Sequence, residues 1–293
     1  MADASAAGPS ATLTAFDRDT AVSEQSRSEH GAAGRVQFAA DVSAQWRAGR
    51  GPHGGYLAAM LLRALIEALA DPGRAPRSLT IHYARAPQPG PVTIDATIER
   101  HGRSLSTLSA RIEQDGTLIA LGLAAFSVPW DAPTVTELPM PDVAPQDPER
   151  KPGIPLFKGA PPFTSHLVLQ SRIGAVPFSG SDAPMEVGAW LGLAEARPID
   201  ALSLAFFSDA LFSPPFIRLS EPSTTPTIDL TIHFRTPMPR AADPDPEELC
   251  FARFRSGLIH EGFFEEDGVI WASDGSILAQ SRQLGIVLPR PIG

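Results

Sequence analysis

Between residues 54 and 70, apolar side chains fall at Tyr56, Leu57, Met60, Leu61, Ala64, Leu65 and Ala68. Spacings of three and four predict a helix that is amphipathic or largely buried. Asp71-Pro72-Gly73 stops it. The period then changes to two. Residues 78–83 read as a strand and 87–91 as a turn, and Val92, Ile94, Ala96 and Ile98 alternate with polar positions as in a half-buried strand. Leu108, Ala110 and Ile112 keep that period, residues 114–117 reverse the chain, and 118–127 supply the returning strand. A second helix is predicted over 199–212, with Leu202, Ala205, Phe206 and Ala210 at helical spacing. Strands follow at 227–235, 249–256, 259–265 and 277–288, with a hairpin turn in 271–276.

The two halves repeat each other. Leu79-Thr80-Ile81-His82-Tyr83 is answered by Leu230-Thr231-Ile232-His233-Phe234, 151 residues later, and a Pro-bearing turn follows each. Asp115-Gly116-Thr117-Leu118-Ile119-Ala120 is answered by Asp274-Gly275-Ser276-Ile277-Leu278-Ala279, 159 residues later. The second copy therefore carries about eight more residues, assigned to the acidic loop around 241–248. Such a period is too long for a solenoid unit and fits two similar domains. Helix first, then an antiparallel sheet, is an α+β pattern. Each sheet can bury its apolar face by wrapping around its helix, and two units side by side cover two free edges. The expected division is an N-terminal extension at 1–30 with its first dozen residues poorly ordered, a first domain at 31–130, a Pro- and Asp-rich linker at 131–162, and a second domain at 163–293.

Composition narrows the function. With 43% hydrophobic and 19% charged residues, the chain of 293 can form a packed core, and its 30 prolines suit short strands and firm loops. The formal charge is -9, and no basic stripe is present, which argues against nucleic acid as a partner. No signal segment stands at the N-terminus, and no apolar run reaches the roughly 18 residues of a membrane helix. A cytoplasmic protein without membrane insertion is expected. Cys250 is the only cysteine, so intramolecular disulfides and Cys-based zinc sites are excluded, and its apolar neighbours indicate a quiet buried thiol. His53 has no second metal ligand at useful spacing, and neither metal nor cofactor is expected. No Gly-x-Ser-x-Gly elbow is present, which argues against a serine hydrolase of the common layout.

The order of residues 51–65, 79–90 and 101–116 in the first half, and of 202–212, 226–237 and 276–287 in the second, resembles the double-hotdog acyl-CoA thioesterases of the bacterial thioesterase II type. That resemblance implies a double hotdog fold, hydrolysis of acyl-CoA to free acid and CoA, and a water oriented by Asp209, Thr227 and Gln283. Gln280 takes the place of Gln283 if the register moves by three. The Ala-Leu-Phe-Ser-Pro-Pro that follows Asp209 departs from the family's best-studied branch, which keeps polar residues there.

The residues themselves allow this chemistry beside plainer readings. Asp209 lies among apolar neighbours, where a carboxylate needs hydrogen bonds or a charge partner, but it also suits a polar helix end. Thr227 and Gln283 can orient a water, or merely begin a strand and occupy its solvent face. Asp229 is a rival carboxylate judged to face away. His53-Gly54-Gly55 can present open N–H groups to a thioester or simply set the geometry where the helix begins. Arg103, within Arg100–His101–Gly102–Arg103–Ser104, is a candidate phosphate contact or a surface turn, as are Arg235 and Arg282. Phe206 and Phe212, with Phe207 and Phe216, are expected to shape an acyl tunnel. His82 and His233 read as structural or interfacial. A homodimer or larger homo-oligomer is expected from the sheet edges and faces. Two other functions remain open at this stage: an acyl-CoA or acyl-carrier binder without catalysis, and an enoyl-CoA hydratase. The hydratase reading lacks a His five residues after Asp209, where Pro214 stands.

Overall fold

The computed structural model describes residues 13–30, 33–49, 51–151 and 161–289. The first dozen residues, expected to be poorly ordered, lie outside them. In chain order the long strands are β1 (Val22–His30), β2 (Ala33–Val42), β3 (Ala75–Tyr83), β4 (Gly90–His101), β5 (Leu105–Gln114), β6 (Thr117–Ser127), β7 (Leu167–Ile173), β8 (Glu186–Leu193), β9 (Thr227–Phe234), β10 (Cys250–Arg255), β11 (Phe263–Trp271) and β12 (Ile277–Ile286). The helices are α1 (Ala15–Asp19), α2 (Gly54–Leu69) and α3 (Ala201–Phe207).

Among the described residues these strands, with the short Ile259–His260 paired to β11, make one antiparallel sheet of thirteen. Its order is β1-β2-β4-β5-β6-β3, then β9-β12-β11-β10-β8-β7. The two halves are thus two tandem hotdog units, each sheet curved around its own helix, joined where β3 meets β9. The repeated pentapeptides pair with each other at this join. Leu79 stands opposite Ile232, Thr80 opposite Thr231 and Ile81 opposite Leu230. The two threonine hydroxyls meet at 3.0 Å. The duplication is legible in sequence because it supplies both sides of one seam.

α2 is buried along most of its length, from Gly55 through Leu69, because the first sheet encloses it. Val92, Ile94 and Ala96 of β4 and Leu108, Ala110 and Ile112 of β5 face it, so the predicted alternation is the inner face of the sheet. One apolar cluster runs through both halves, from Phe16 to Ala279. The linker crosses the outer face of the second sheet. There Leu138, Met140 and Val143 cover Trp190, Phe251 and Trp271, and the Trp190 indole donates to the Ala144 carbonyl at 3.0 Å.

The structure differs from the sequence reading in the strands Ala33–Val42, Leu167–Ile173 and Glu186–Leu193, which that reading did not assign, at the N-terminus and at the end of the second helix. The extension at 1–30 includes α1 and β1, and β1 is the outer strand of the first sheet. Residues 23–28 are exposed on both faces, so no apolar alternation marks them. The second helix ends at Phe207 rather than at 212. Asp200 and Ser203 form a capping box at its start, and Pro214 and Pro215, which carry no N–H, begin a separate 3-10 turn over Pro214–Ile217. No helix among the described residues is long and apolar enough to cross a membrane.

Candidate functional site

Because α3 stops early, Asp209 projects from the turn that follows it, with its N–H donating to the Phe206 carbonyl at 3.3 Å. That turn abuts the first turn of α2, so the site spans the two halves. The Gly55 N–H donates to Asp209 Oδ2 at 3.0 Å. His53 Nε2 donates to the Asp209 carbonyl at 2.7 Å and lies 3.5 Å from Oδ2. The side chain of Asp209 is 15% exposed, enough for a small molecule to reach it. A helix N-terminus carries partial positive charge, so α2 both anchors and stabilises this carboxylate.

The glycines permit this approach. A Cβ on Gly54 would sit 2.8 Å from Asp209 Oδ2, and one on Gly55 would sit 2.5 Å from the Phe206 carbonyl oxygen. Tyr83, at the end of β3, closes the group by donating its hydroxyl to the Gly54 carbonyl at 2.8 Å.

A second set of polar side chains joins β9, β12 and β11. Thr227 Oγ1 donates to Gln283 Oε1 at 2.8 Å, and Gln283 Nε2 donates to Glu266 Oε1 at 2.6 Å. Gln283 and Glu266 are opposite one another on β12 and β11, both buried. The charge of Asp209 reaches this set. Burial first, and Asp209 second, push the Glu266 carboxyl up to about 8. Burial holds the His53 imidazole below its ordinary value against the opposing pull of Asp209, and burial with Asp209 drives the Tyr83 phenol up. Burial thus favours the uncharged form of each of His53, Tyr83 and Glu266. A neutral His53 with Nε2–H pointed at the Asp209 carbonyl leaves Nδ1 as a buried acceptor without a protein partner.

The structure thus gathers Asp209, His53, Gly54 and Gly55 into one group and joins Thr227, Gln283 and Glu266 in another, with the charge of Asp209 acting on Glu266. Gln280 belongs elsewhere, since it accepts from Arg235 Nε at 2.6 Å on the outer face. Asp229 is opposite His82 on that same outer face. Other residues stand apart from the site. Arg103 is exposed beyond the far end of β3, beside the Leu105–Ser127 pair, whereas Tyr83 marks the site end. Eight residues of strand separate the two ends, roughly 26 Å at about 3.3 Å per residue. Phe206 is fully buried, wedged against His53, Phe16 and Trp46, so it supports the site from behind rather than lining a tunnel. Phe212 is half-buried against the main core. Arg235 and Arg282 border a cavity of about 390 Å³ on the outer face, and Arg282 pairs with Asp267 there at 3.1 Å. Cys250 is buried with its thiol pushed up by desolvation. Among the described residues, no three His, Cys, Asp or Glu side chains are grouped to hold a metal ion.

Two residues of the site escaped the sequence reading. Glu266 falls in phase with the buried Phe264 and Ile270, so an acidic residue on an apolar face was there to be noticed. Tyr83 is the one point at which the repeated pentapeptide differs, and only the first copy gains a hydroxyl.

Residues 42–127 match the acyl-CoA thioesterase N-terminal domain, and residues 137–287 match the acyl-CoA thioesterase C-terminal domain. An uncharacterized protein of Mycobacterium tuberculosis is 24% identical over 273 residues, covering 85% of this chain and 90% of its own. A hot dog fold protein of unknown function from Alicyclobacillus acidocaldarius superposes with a TM-score of 0.81 at 25% identity, over 95% of this chain and 100% of its own. A proposed thioesterase II from Thermobifida fusca gives 0.73 at 23% identity, over 94% and 98% respectively, a likeness of fold.

Proposed function

The chain belongs to the acyl-CoA thioesterase family, and from that premise we propose that it hydrolyses an acyl-CoA thioester through a water held by Asp209, Thr227 and Gln283. The observation that supports this reading is the Asp209 carboxylate, anchored on the Gly55 amide at the start of α2, still partly open to solvent, and acting through its charge on Glu266, which ends the Thr227–Gln283–Glu266 chain. Asp209 takes a proton as the water oxygen bonds to the thioester carbon. The tetrahedral intermediate then collapses, the C–S bond breaks, and the departing thiolate recovers the proton from Asp209. The products are the free acid and CoA, and no external redox partner enters. Proton removal and orientation are both required because water is a weak nucleophile near neutral pH.

The reading is tested by following free thiol from a panel of acyl-CoAs. A binder without catalysis would hold the ligand and release no thiol, and a hydratase would alter enoyl absorbance while the thioester stays intact. Thr227→Val removes a hydrogen bond to the water, and Gln283→Ala removes the acceptor that orients the Thr227 hydroxyl. Each is expected to lower kcat about 10-fold, the equivalent of roughly 1.4 kcal/mol, with little change in KM. A rise in KM alone would mean that these residues bind substrate and transition state equally.

A homodimer or larger assembly belongs to the same proposal. Leu121 and Leu123 stand 39% and 53% exposed on the outer face of β6, an apolar pair that a second copy would cover. Leu123→Glu is expected to shift the sedimentation coefficient toward the monomer value, and an unchanged coefficient would remove this face as the contact.

A further inference from the structure

Glu266 is costly where it stands. It is 3% exposed, on the inner face of its sheet between Phe264 and Ile270. A carboxyl in that position resists ionisation, and the hydrolysis outlined above does not call on a second one. The charged groups that act on it are Asp209, from the turn after α3, and Asp267, its neighbour on β11. Both are acidic and both oppose its ionisation. The hydrogen bond from Gln283 favours the charged form, but burial outweighs it.

We propose that Glu266 is a positioning residue that fixes the direction of the hydrogen-bond chain through Gln283, and so determines which way Thr227 meets the attacking water. This rests on the hydrolytic reading and deepens it. The two ends of a Gln side chain have nearly the same shape and opposite polarity. Glu266 offers Oε1 as an acceptor at 2.6 Å, so the NH2 end of Gln283 must face it. The carbonyl end then faces Thr227 and takes the hydroxyl proton at 2.8 Å. Thr227 is left with only lone pairs to present. A water between Thr227 and Asp209 must donate one hydrogen to each and keeps its own lone pairs free for the thioester carbon. With the amide reversed, Thr227 would receive from Gln283 and donate to the water, occupying a lone pair needed for attack. A neutral Glu266 gives this direction without a second negative charge near a carbonyl oxygen that becomes negative in the transition state.

Two variants test the proposal on the full chain, using thiol release across pH together with thermal melting. Glu266→Leu removes the acceptor, and kcat is expected to fall about 10-fold or more, the effect of a lost hydrogen bond of roughly 1.4 kcal/mol, with KM changed less than about threefold. Adding Thr227→Val to it should then cost little more, since residues in one network are not additive. Glu266→Gln keeps a carbonyl acceptor and should retain most of kcat. The wild type should lose rate as pH rises through about 8, where Glu266 ionises, and Glu266→Gln should lack that break. Stability gives a parallel readout. The carboxyl ionises near its ordinary 4.5 when unfolded and near 8 when folded. The wild type therefore loses stability as pH rises from 4.5 to 8, and Glu266→Gln should not. A folded Glu266→Leu with kcat within twofold of wild type overturns the proposal. If Glu266→Leu does not fold, the pH profile of Glu266→Gln decides: loss of the break supports the proposal and its persistence overturns it. A wild type that releases no thiol from any acyl-thioester would instead be a failure of the hydrolytic reading itself.

Discussion

Asp209→Asn is expected to lower kcat for thiol release by at least about 10²-fold, within the range for removal of a positioned acid–base group, while the protein folds and melts almost as the wild type does. Both halves of this expectation follow from what holds the side chain. The amide of Asn can still accept from the Gly55 N–H that bonds Asp209 Oδ2 at 3.0 Å, and His53 bonds the backbone carbonyl of residue 209, which the substitution leaves in place. The turn after α3 therefore keeps its contacts with α2. Loss of the negative charge from a helix N-terminus costs only about 0.3–1 kcal/mol. What disappears is the capacity to take a proton from water and return it to the thiolate. Turnover measured under saturating acyl-CoA, beside a melting curve, separates the two effects. Near-normal turnover in a folded Asp209→Asn protein would end the case for Asp209 as the base.

How much of this site could be read from the chain depends on how each residue is held. The long helix, the strands enclosing it and the seam of the two pentapeptides follow from periodicity, because each buries one face against a partner and the sequence must alternate to do so. β1 was hidden for the converse reason: an outer strand exposed on both faces has nothing to make it alternate. β8 was hidden because Trp190 packs under the linker while Val187, Ala189 and Leu191 face the main core, so the strand is apolar on both sides. The end of α3 was overrun since Ala210, Leu211 and Phe212 continue the apolar pattern beyond the last helical residue, and only the capping geometry and the prolines set the boundary. Asp209, Thr227 and Gln283 were named through family likeness, and spacing alone does not join positions 18 and 56 residues apart. Glu266 and Tyr83 belong to neither source. They matter through single hydrogen bonds across the sheet or onto a helix terminus, and such pairings depend on strand register, which the sequence does not spell out.

Gly55→Ala, one added methyl group that takes no part in proton transfer, is expected to be nearly as damaging as loss of the carboxylate. The added Cβ would lie 2.5 Å from the Phe206 carbonyl oxygen and 3.1 Å from its carbon. Both are backbone atoms at the end of α3, so no rotamer change relieves the clash. The start of α2 and the turn carrying Asp209 must separate, and the hydrogen bond from the Gly55 N–H to Asp209 lengthens with them. Overpacking of this kind costs about 1–3 kcal/mol, which in a chain of this size lowers Tm by several degrees, at about 2–4 °C per kcal/mol. The larger effect falls on rate. A displacement of about 1 Å at a site that works by orientation can cost roughly 10²-fold, and kcat should fall by that order even at temperatures where Gly55→Ala is fully folded. Gly54→Ala meets Asp209 Oδ2 at 2.8 Å instead, a side-chain atom able to swing aside, so its Tm should drop less than that of Gly55→Ala. Equal melting temperatures for the two alanine variants, with wild-type turnover in both, would show that the two halves are not in the close contact on which the site depends.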